Sequence, residues 1–415
     1  MADQIPGLAG GALSDLRVLD LTRILAGPTS TQLLGDLGAD IIKVERPGAG
    51  DDTRKWGPPY IKDKDGADTD ESAYYLSANR NKRSVSIDLS QREGQQLIRR
   101  MAGKCDVLVE NFKAGGLAKF GLSYDQLKDE FPGLIYCSIT GFGQTGPYAP
   151  RAGYDYLAQG IGGIMSITGE PDGQPMKVGV GISDIVCGMY AAVSILAAIR
   201  HRDLTGQGQH IDLSLLDTQV AWLANEGLNY LTSGIVPTRR GNAHPNIVPY
   251  QLFDTVDDPF ILAVGNDAQF GRFCAFAEVP EIADDARFKT NSNRVANREA
   301  LIEILIPVLK SQPRQHWLDG LAGLGVPASP VNDIAQVFDD PQIKHREMKI
   351  SVPHETAQAG CVDLIGNPIN LSETPVSYRY APPTLGQHTD EVLMELLGLS
   401  QDQLEKLHES GLISK

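Results

Sequence analysis

Asp184 is the residue in this sequence whose setting most invites chemistry. It stands in the run Gly179-Val-Gly-Ile-Ser-Asp-Ile-Val-Cys-Gly-Met-Tyr190, where small and apolar residues surround one carboxylate and an apolar helical stretch continues to Ile199. A charge there has little water to hide in, so such a carboxylate is paired, capping or chemically employed. From the residues alone capping ranks first, because apolar helical residues follow at once. Basic residues gather early, at Lys43, Arg46, Arg54, Lys55, Arg80, Lys82, Arg83, Lys113 and Lys119. Arg46 and Lys113 fall at strand ends, which suggests an anion site at the carboxyl edge of a sheet, where open α/β sheets bind ligands. The plainer alternative is an ordinary solvated face. His244 lies in Arg239-Arg-Gly-Asn-Ala-His-Pro-Asn-Ile-Val-Pro-Tyr250. The arginines of that polar loop could receive a substrate carboxylate; it reads equally well as an interdomain turn.

These residues need elements to position them. Leu16–Leu21 and Ala39–Val44 read as strands around a helix from Gly27 to about Leu37, a βαβ unit with a parallel sheet. The alternation continues through strands at Ser84–Leu89, Val107–Glu110, Leu134–Ile139 and His210–Leu213. Helices are expected at Gln91–Met101, Tyr124–Glu130, Tyr156–Gln159 and Ile185–Arg200, with one long helix at Leu215–Leu231. Gly141-Phe-Gly-Gln-Thr-Gly146 matches GxGxxG after a strand, but Pro147 and Pro150 follow where a dinucleotide fingerprint needs a helix, so a nucleotide-cofactor reading is rejected. After the loop at 233–249 an α+β pattern follows. Its strands are Tyr250–Asp254 and Phe260–Val264, and its helices Ala268–Phe276, Arg298–Leu309 and Gln315–Leu324. Residues 350–382 carry little helical periodicity, and Thr389–Leu397 and Ser400–Ser410 read as terminal helices.

Length and composition bound the answer. A chain of 415 residues suggests two domains, and a formal charge of -15 argues against nucleic acid as a partner. Five scattered cysteines without a CxxC favour reduced thiols over a disulfide framework or a zinc site. The start, Met1–Gly7, lacks a leader pattern, and the longest apolar run, near Ala191–Ile199, is of core-helix size. A cytoplasmic protein with no membrane partner and no metal is expected.

Several ordered segments resemble the family III CoA-transferases, the group that includes formyl-CoA transferase. They are Val18–Pro28, Leu37–Gly50, Asn79–Asp88, Val109–Phe112, Gly141–Pro147, Arg151–Gln159, Gly179–Gly188 and Leu385–Asp390. Within the family, Gly241–Thr255 and Lys289–Leu305 look closest to succinyl-CoA-dependent dicarboxylate transferases of the glutarate type. The resemblance implies that Asp184 is the nucleophile, with Tyr154 near the reacting centre. Acyl transfer then passes through an aspartyl anhydride and an aspartyl-CoA thioester, with desolvation by Val178, Val180 and Ile185 raising the reactivity of Asp184.

The resemblance also assigns CoA contacts to Leu25, Ala26, Arg46, Ile87, Asp88, Asn111, Phe112, Lys113, Lys119, Arg151, Ala152 and Gly153. Lys119 stands where a relative has arginine and keeps the charge without the fork. Leu25 replaces a glutamine of some relatives, which points to a different acyl substrate. Arg239, Arg240 and His244 are candidates for the distal carboxylate of the substrate. CoA enters as a co-substrate, with no permanently bound cofactor. The implied fold is α/β: a large Rossmann-like domain from both chain ends, 1–215 and 350–415, and a small inserted α+β domain, 238–328. Linkers at 216–237 and 329–349 join them in an interlocked homodimer. The rival activity on this fold, an α-methylacyl-CoA racemase, places histidine where this chain has Tyr154, and tyrosine suits proton shuttling poorly. A non-catalytic CoA-binding protein is the other alternative.

Overall fold

In the computed structural model, residues 11–414 are described; Met1–Gly7, on which the leader expectation falls, lies outside them. The described residues form two compact units, one of residues 11–164, 178–231 and 342–414, the other of 165–177 and 232–341.

The first unit is built on a seven-stranded sheet. Its strands are β1 (Arg17–Asp20), β2 (Asp40–Glu45), β3 (Lys82–Ile87), β4 (Val107–Glu110), β5 (Ile135–Thr140), β6 (His210–Ser214) and β7 (Ile413–Ser414). They lie in the order β7-β3-β2-β1-β4-β5-β6, and every pair is parallel except β7 against β3. The six parallel strands follow the doubly wound order 3-2-1-4-5-6, which reverses direction between β1 and β4. Successive residues face opposite cores: Leu19, Ile42 and Leu108 point to one layer, Val18, Ile41, Val107 and Val109 to the other.

The helices that matter for the site are α1 (Ala26–Asp36), α2 (Ala73–Leu76), α3 (Arg92–Ala102), α4 (Asp155–Ile161), α5 (Ile182–Thr205) and α6 (Leu215–Ala221). Helix α5 is apolar and long enough by composition to cross a bilayer, yet half of its apolar window is buried in the fold. It ends at Gly206, whose φ of 73° suits a left-handed cap. Helices α1 and α5 approach closely through Gly188. A Cβ there would stand 2.5 Å from the Ala26 carbonyl oxygen.

The second unit carries a three-stranded antiparallel sheet of Tyr250–Phe253, Phe260–Ala263 and Ala328–Pro330. Phe260, Phe270, Phe273, Phe288 and Trp317 fill its core.

Three sequence expectations need correction, and a stretch to which no element had been assigned gains a hairpin. The long helix at Leu215–Leu231 is two, Leu215–Ala221 and Ala224–Ser233, broken where Ala224 takes a φ of 44°. The Tyr124–Glu130 helix is a single turn, Tyr124–Leu127. A hairpin of Lys349–Pro353 and Cys361–Ile365 occupies part of the stretch that lacks helical periodicity. The early basic cluster is neither an anion site nor a solvated face as a whole. Lys43, Arg54, Arg80, Lys82 and Arg83 are buried and pair with Asp51, Glu45, Asp36, Asp20 and Asp40 at 2.8, 2.7, 2.6, 3.2 and 2.6 Å.

Candidate active site

At the point where the strand order reverses, the loops after β1 and β4 lie side by side. The Asn111 side chain accepts the Arg23 N–H at 3.0 Å and donates to the Arg23 carbonyl at 2.7 Å, so the two loops are stitched together. Lys43 Nζ donates to the Thr22 carbonyl at 3.0 Å and pairs with Asp51, whose Oδ1 accepts the Ile24 N–H at 3.2 Å. Ile24 needs that support because its φ is 73°, in a region a β-branched residue avoids. Burial alone would raise the Asp51 carboxyl, but the Lys43 ammonium and the Thr53 hydrogen bonds outweigh it and hold it near about 2. Glu110, at the end of β4, accepts the Phe112 N–H at 2.8 Å and shapes the second loop; burial pushes it up to about 7.

These loops open onto a cavity of about 590 Å³. Asn111, Phe112, Lys113, Lys119, Arg151, Ala152, Gly153 and Tyr154 line it, together with Ala26 and Asp184. A neighbouring cavity of about 530 Å³ is lined by Arg46, Ile87 and Asp88. Arg23, Asp52, Trp56 and Phe112 belong to the walls of both, so the two form one trench along the carboxyl ends of the sheet. Arg46 follows β2 directly and Lys113 lies just past β4, as their strand-end positions suggested. Among the described residues, Arg46, Lys55, Lys113, Lys119 and Arg151 have no carboxylate within ion-pair distance, unlike the buried cations beneath them. Arg151 lies over the Tyr148 ring at 3.9 Å and Lys119 over Phe120 at 4.6 Å. The trench therefore carries five cations without an ion-pair carboxylate, three of them in the same cavity as a buried acid.

That acid is Asp184, and it is not a cap. Helix α5 starts at Ile182 with Gly181 as its cap residue, which puts Asp184 in the third helical position. The capping oxygen comes from elsewhere: Asp155 Oδ1 accepts the Ser183 N–H at 2.8 Å. The Asp184 side chain accepts no hydrogen bond from any described residue and is 8% exposed. Burial first, and the Asp155 charge second, push its carboxyl up to about 7. Val178 is half-buried, but Val180 is 56% exposed, so the desolvation comes from the fold around α5 more than from that valine.

Leu25 is buried, and a Cβ on Gly181 would stand 3.1 Å from its Cδ2; it meets the start of α5 while Ile24 and Ala26 face the cavity. Tyr154 is 60% exposed and immediately precedes α4. Arg239, Arg240 and His244 belong to the second unit. Arg239 spends its guanidinium on the carbonyls of Glu170 and Gly173, at 3.1 and 2.8 Å, and His244 stacks on Tyr250.

Sequence reasoning missed Trp56, Tyr74, Arg23 and Asp155. Trp56 lines both cavities and meets Tyr74 edge-on at 5.1 Å. Burial first, then the charges of Asp184, Asp155 and Asp51, push the Tyr74 phenol up to about 12, which places it in the field of the same acid. A tryptophan in the glycine- and proline-rich run Lys55–Pro59 was the one signal available.

A model of CoA-transferase family III matches residues 13–389. Succinate–glutarate CoA-transferase of Agrobacterium fabrum is 50% identical over 92% of this chain and 95% of its own length. Succinyl-CoA:glutarate CoA-transferase of Homo sapiens is 42% identical, over 97% of this chain and 90% of its own length. Among solved structures, a CAIB/BAIF family protein from Brucella suis superposes with a TM-score of 0.82 at 49% identity, covering 93% of this chain and 100% of that one.

Proposed function

This chain belongs to CoA-transferase family III, and on that premise we propose that it moves CoA from succinyl-CoA to glutarate, with Asp184 as the covalent carrier. One observation supports this reading above others. Asp184 is a buried carboxylate without a hydrogen-bond partner among the described residues, opening on a trench whose free cations suit a polyphosphate.

CoA lies along the trench, its phosphates toward Arg46, Lys55, Lys113, Lys119 and Arg151. An Asp184 oxygen attacks the thioester carbonyl; the carbon–sulfur bond breaks and CoA leaves as thiolate. The thiolate then attacks the aspartyl carbonyl of the anhydride, which frees the donor acid as its carboxylate and leaves an aspartyl-CoA thioester. The acceptor carboxylate runs these steps in reverse. Each covalent state is open to hydrolysis, so burial of Asp184 serves to exclude water as well as to keep its oxygen poorly solvated. Tyr154 borders the reacting centre. Among the described residues no histidine lines either cavity, which speaks against the two-base demand of a racemase.

The acceptor is a dicarboxylate, and Arg240 and His244 are the candidates for its distal charge, since Arg239 is already engaged with backbone carbonyls. Turnover of glutarate is compared with that of pentanoate, the monocarboxylate of equal length. Glutarate should win by about a hundredfold in kcat/KM. Equal values would sink the dicarboxylate reading.

The active form is an interlocked homodimer of a large Rossmann-like domain and a small inserted one. Its support is that the large apolar side chains Tyr156, Leu157, Met189, Tyr190, Val193 and Val220 of α4, α5 and α6 are each exposed. Exposed large apolar side chains on neighbouring helices mark a surface suited to being covered by a partner copy. Light scattering should return twice the 44.8 kDa chain mass, and a monomer at micromolar concentration would refute it.

A further inference from the structure

Acyl transfer as written leaves one acid of the site without a task. Asp155 opens α4 beside Tyr154, and its carboxylate reaches two other segments. Oδ1 accepts the Ser183 N–H at 2.8 Å and the Asp184 N–H at 3.4 Å; Oδ2 accepts Gln159 Nε2 at 2.8 Å. Gln159 in turn accepts the Val178 N–H at 2.9 Å. From α6, Gln219 Oε1 accepts the Ser183 hydroxyl at 2.6 Å. The first turn of α5 is thus held by two side chains, and only one of them carries charge.

We propose that Asp155 is the positioning residue of this site: it caps the helix that bears Asp184 and sets a second negative charge beside it, so that the ionised resting enzyme is disfavoured relative to its neutral covalent states. The proposal rests on Asp184 being the nucleophile. An acid at a helix N-terminus ordinarily stabilises the helix. Here the same charge acts on a neighbouring carboxylate in a poorly solvated place. The groups acting on Asp184 are Asp155 from α4, the Tyr74 phenol from α2 and the Cys187 thiol on its own helix, and the cations Arg23, Lys113, Lys119 and Arg151 line the same cavity. Burial ranks first in raising the Asp184 carboxyl and Asp155 second.

When Asp184 bonds to the acyl carbon, its negative charge departs with the CoA thiolate. When the thiolate returns to the aspartyl carbonyl, the charge departs with the acid. In both intermediates the position beside Asp155 is uncharged, so repulsion present in the free enzyme is relieved by acylation.

Asp155→Asn keeps an oxygen for the Ser183 N–H and removes the charge. The acid limb of the kcat/KM–pH profile should then move down, giving about three- to tenfold more ionised Asp184 at a pH below the limb. The fraction of enzyme trapped by borohydride at a fixed succinyl-CoA concentration should fall by a similar factor. Asp155→Glu, which restores the charge, should return both toward the wild type. Asp155→Ser, a smaller neutral residue, gives the same readout where the asparagine variant does not fold. An acid limb that stays in place, with kcat/KM lowered equally at every pH, would reduce Asp155 to a structural cap and overturn the proposal. Failure of the nucleophile itself looks different: wild-type protein would then yield no trapped adduct at Asp184.

Discussion

Asparagine in place of Asp184 is expected to cut CoA transfer by about 10⁴-fold or more and, at pH 8, to make the folded protein more stable. The two effects have one cause. Folded Asp184 keeps its proton up to about pH 7, against 3.8 for an unperturbed aspartate. Between those values the native state binds more protons than the unfolded chain, so stability falls as pH rises through that window, and the cost persists above it. An asparagine escapes the cost, which amounts to on the order of 3 kcal/mol at pH 8 and vanishes below about pH 4. Urea denaturation of both proteins at several pH values reads it. A variant less stable than the wild type by the same amount at pH 5 and pH 8 would contradict the buried, ionisable Asp184 described above. Activity and stability moving in opposite directions is the mark of a site held in a costly state for function.

Gly153→Ala carries the second large effect. A Cβ at Gly153 would stand 2.1 Å from the Gly141 Cα, and one at Gly141 2.3 Å from the Gly153 Cα. Both neighbours are backbone, so no side chain can swing aside. The crossing joins the end of β5 to the residue just before Tyr154 and Asp155. Separating it costs about 1–3 kcal/mol by overpacking, and it shifts both side chains relative to Asp184, for a loss of about a hundredfold in kcat. Gly141→Ala should reproduce both changes, since it meets the same backbone from the other side. Wild-type stability and kcat in the pair would show that the crossing has slack.

Gly141 and Gly153 also illustrate what the sequence could and could not reveal. Gly141–Gly146 looked like a dinucleotide fingerprint, and the prolines after it ruled that out; no helix follows until Asp155. What the first glycine does instead depends on a residue twelve positions later, and no local pattern reports such an approach. The sheet was legible because its strands alternate between two cores, with Leu19, Ile42 and Leu108 on one side and Val18, Ile41 and Val107 on the other. β7 was not, because a two-residue strand carries no periodicity. The break at Ala224 was hidden in a continuous helical composition.

The site divides the same way. Arg46 and Lys113 could be placed at strand ends by counting, and the fold puts them on one trench. Lys43, Lys82 and Arg83 looked no different in the sequence, yet each faces an acid inside the protein. Charge type alone does not separate a ligand-binding cation from a buried structural one; the depth of its strand does. Asp184 was readable as an unusual carboxylate but was misplaced as a cap. The true cap of its helix, Asp155, lies 29 residues before Asp184 and on another helix. The reach of Asp155 to the first turn of the helix that bears Asp184 is a property of the fold.

The most direct test of the central claim is peptide mass spectrometry of the wild-type protein incubated with succinyl-CoA and quenched with borohydride. An acyl-aspartyl anhydride or aspartyl-CoA thioester is reduced to a primary alcohol, and an untouched carboxylate is not. The account predicts that alcohol at Asp184 alone, appearing only with succinyl-CoA and lost when glutarate and succinate are added to discharge the enzyme. An unmodified Asp184 under conditions of active turnover, or reduction at another carboxylate, would contradict it.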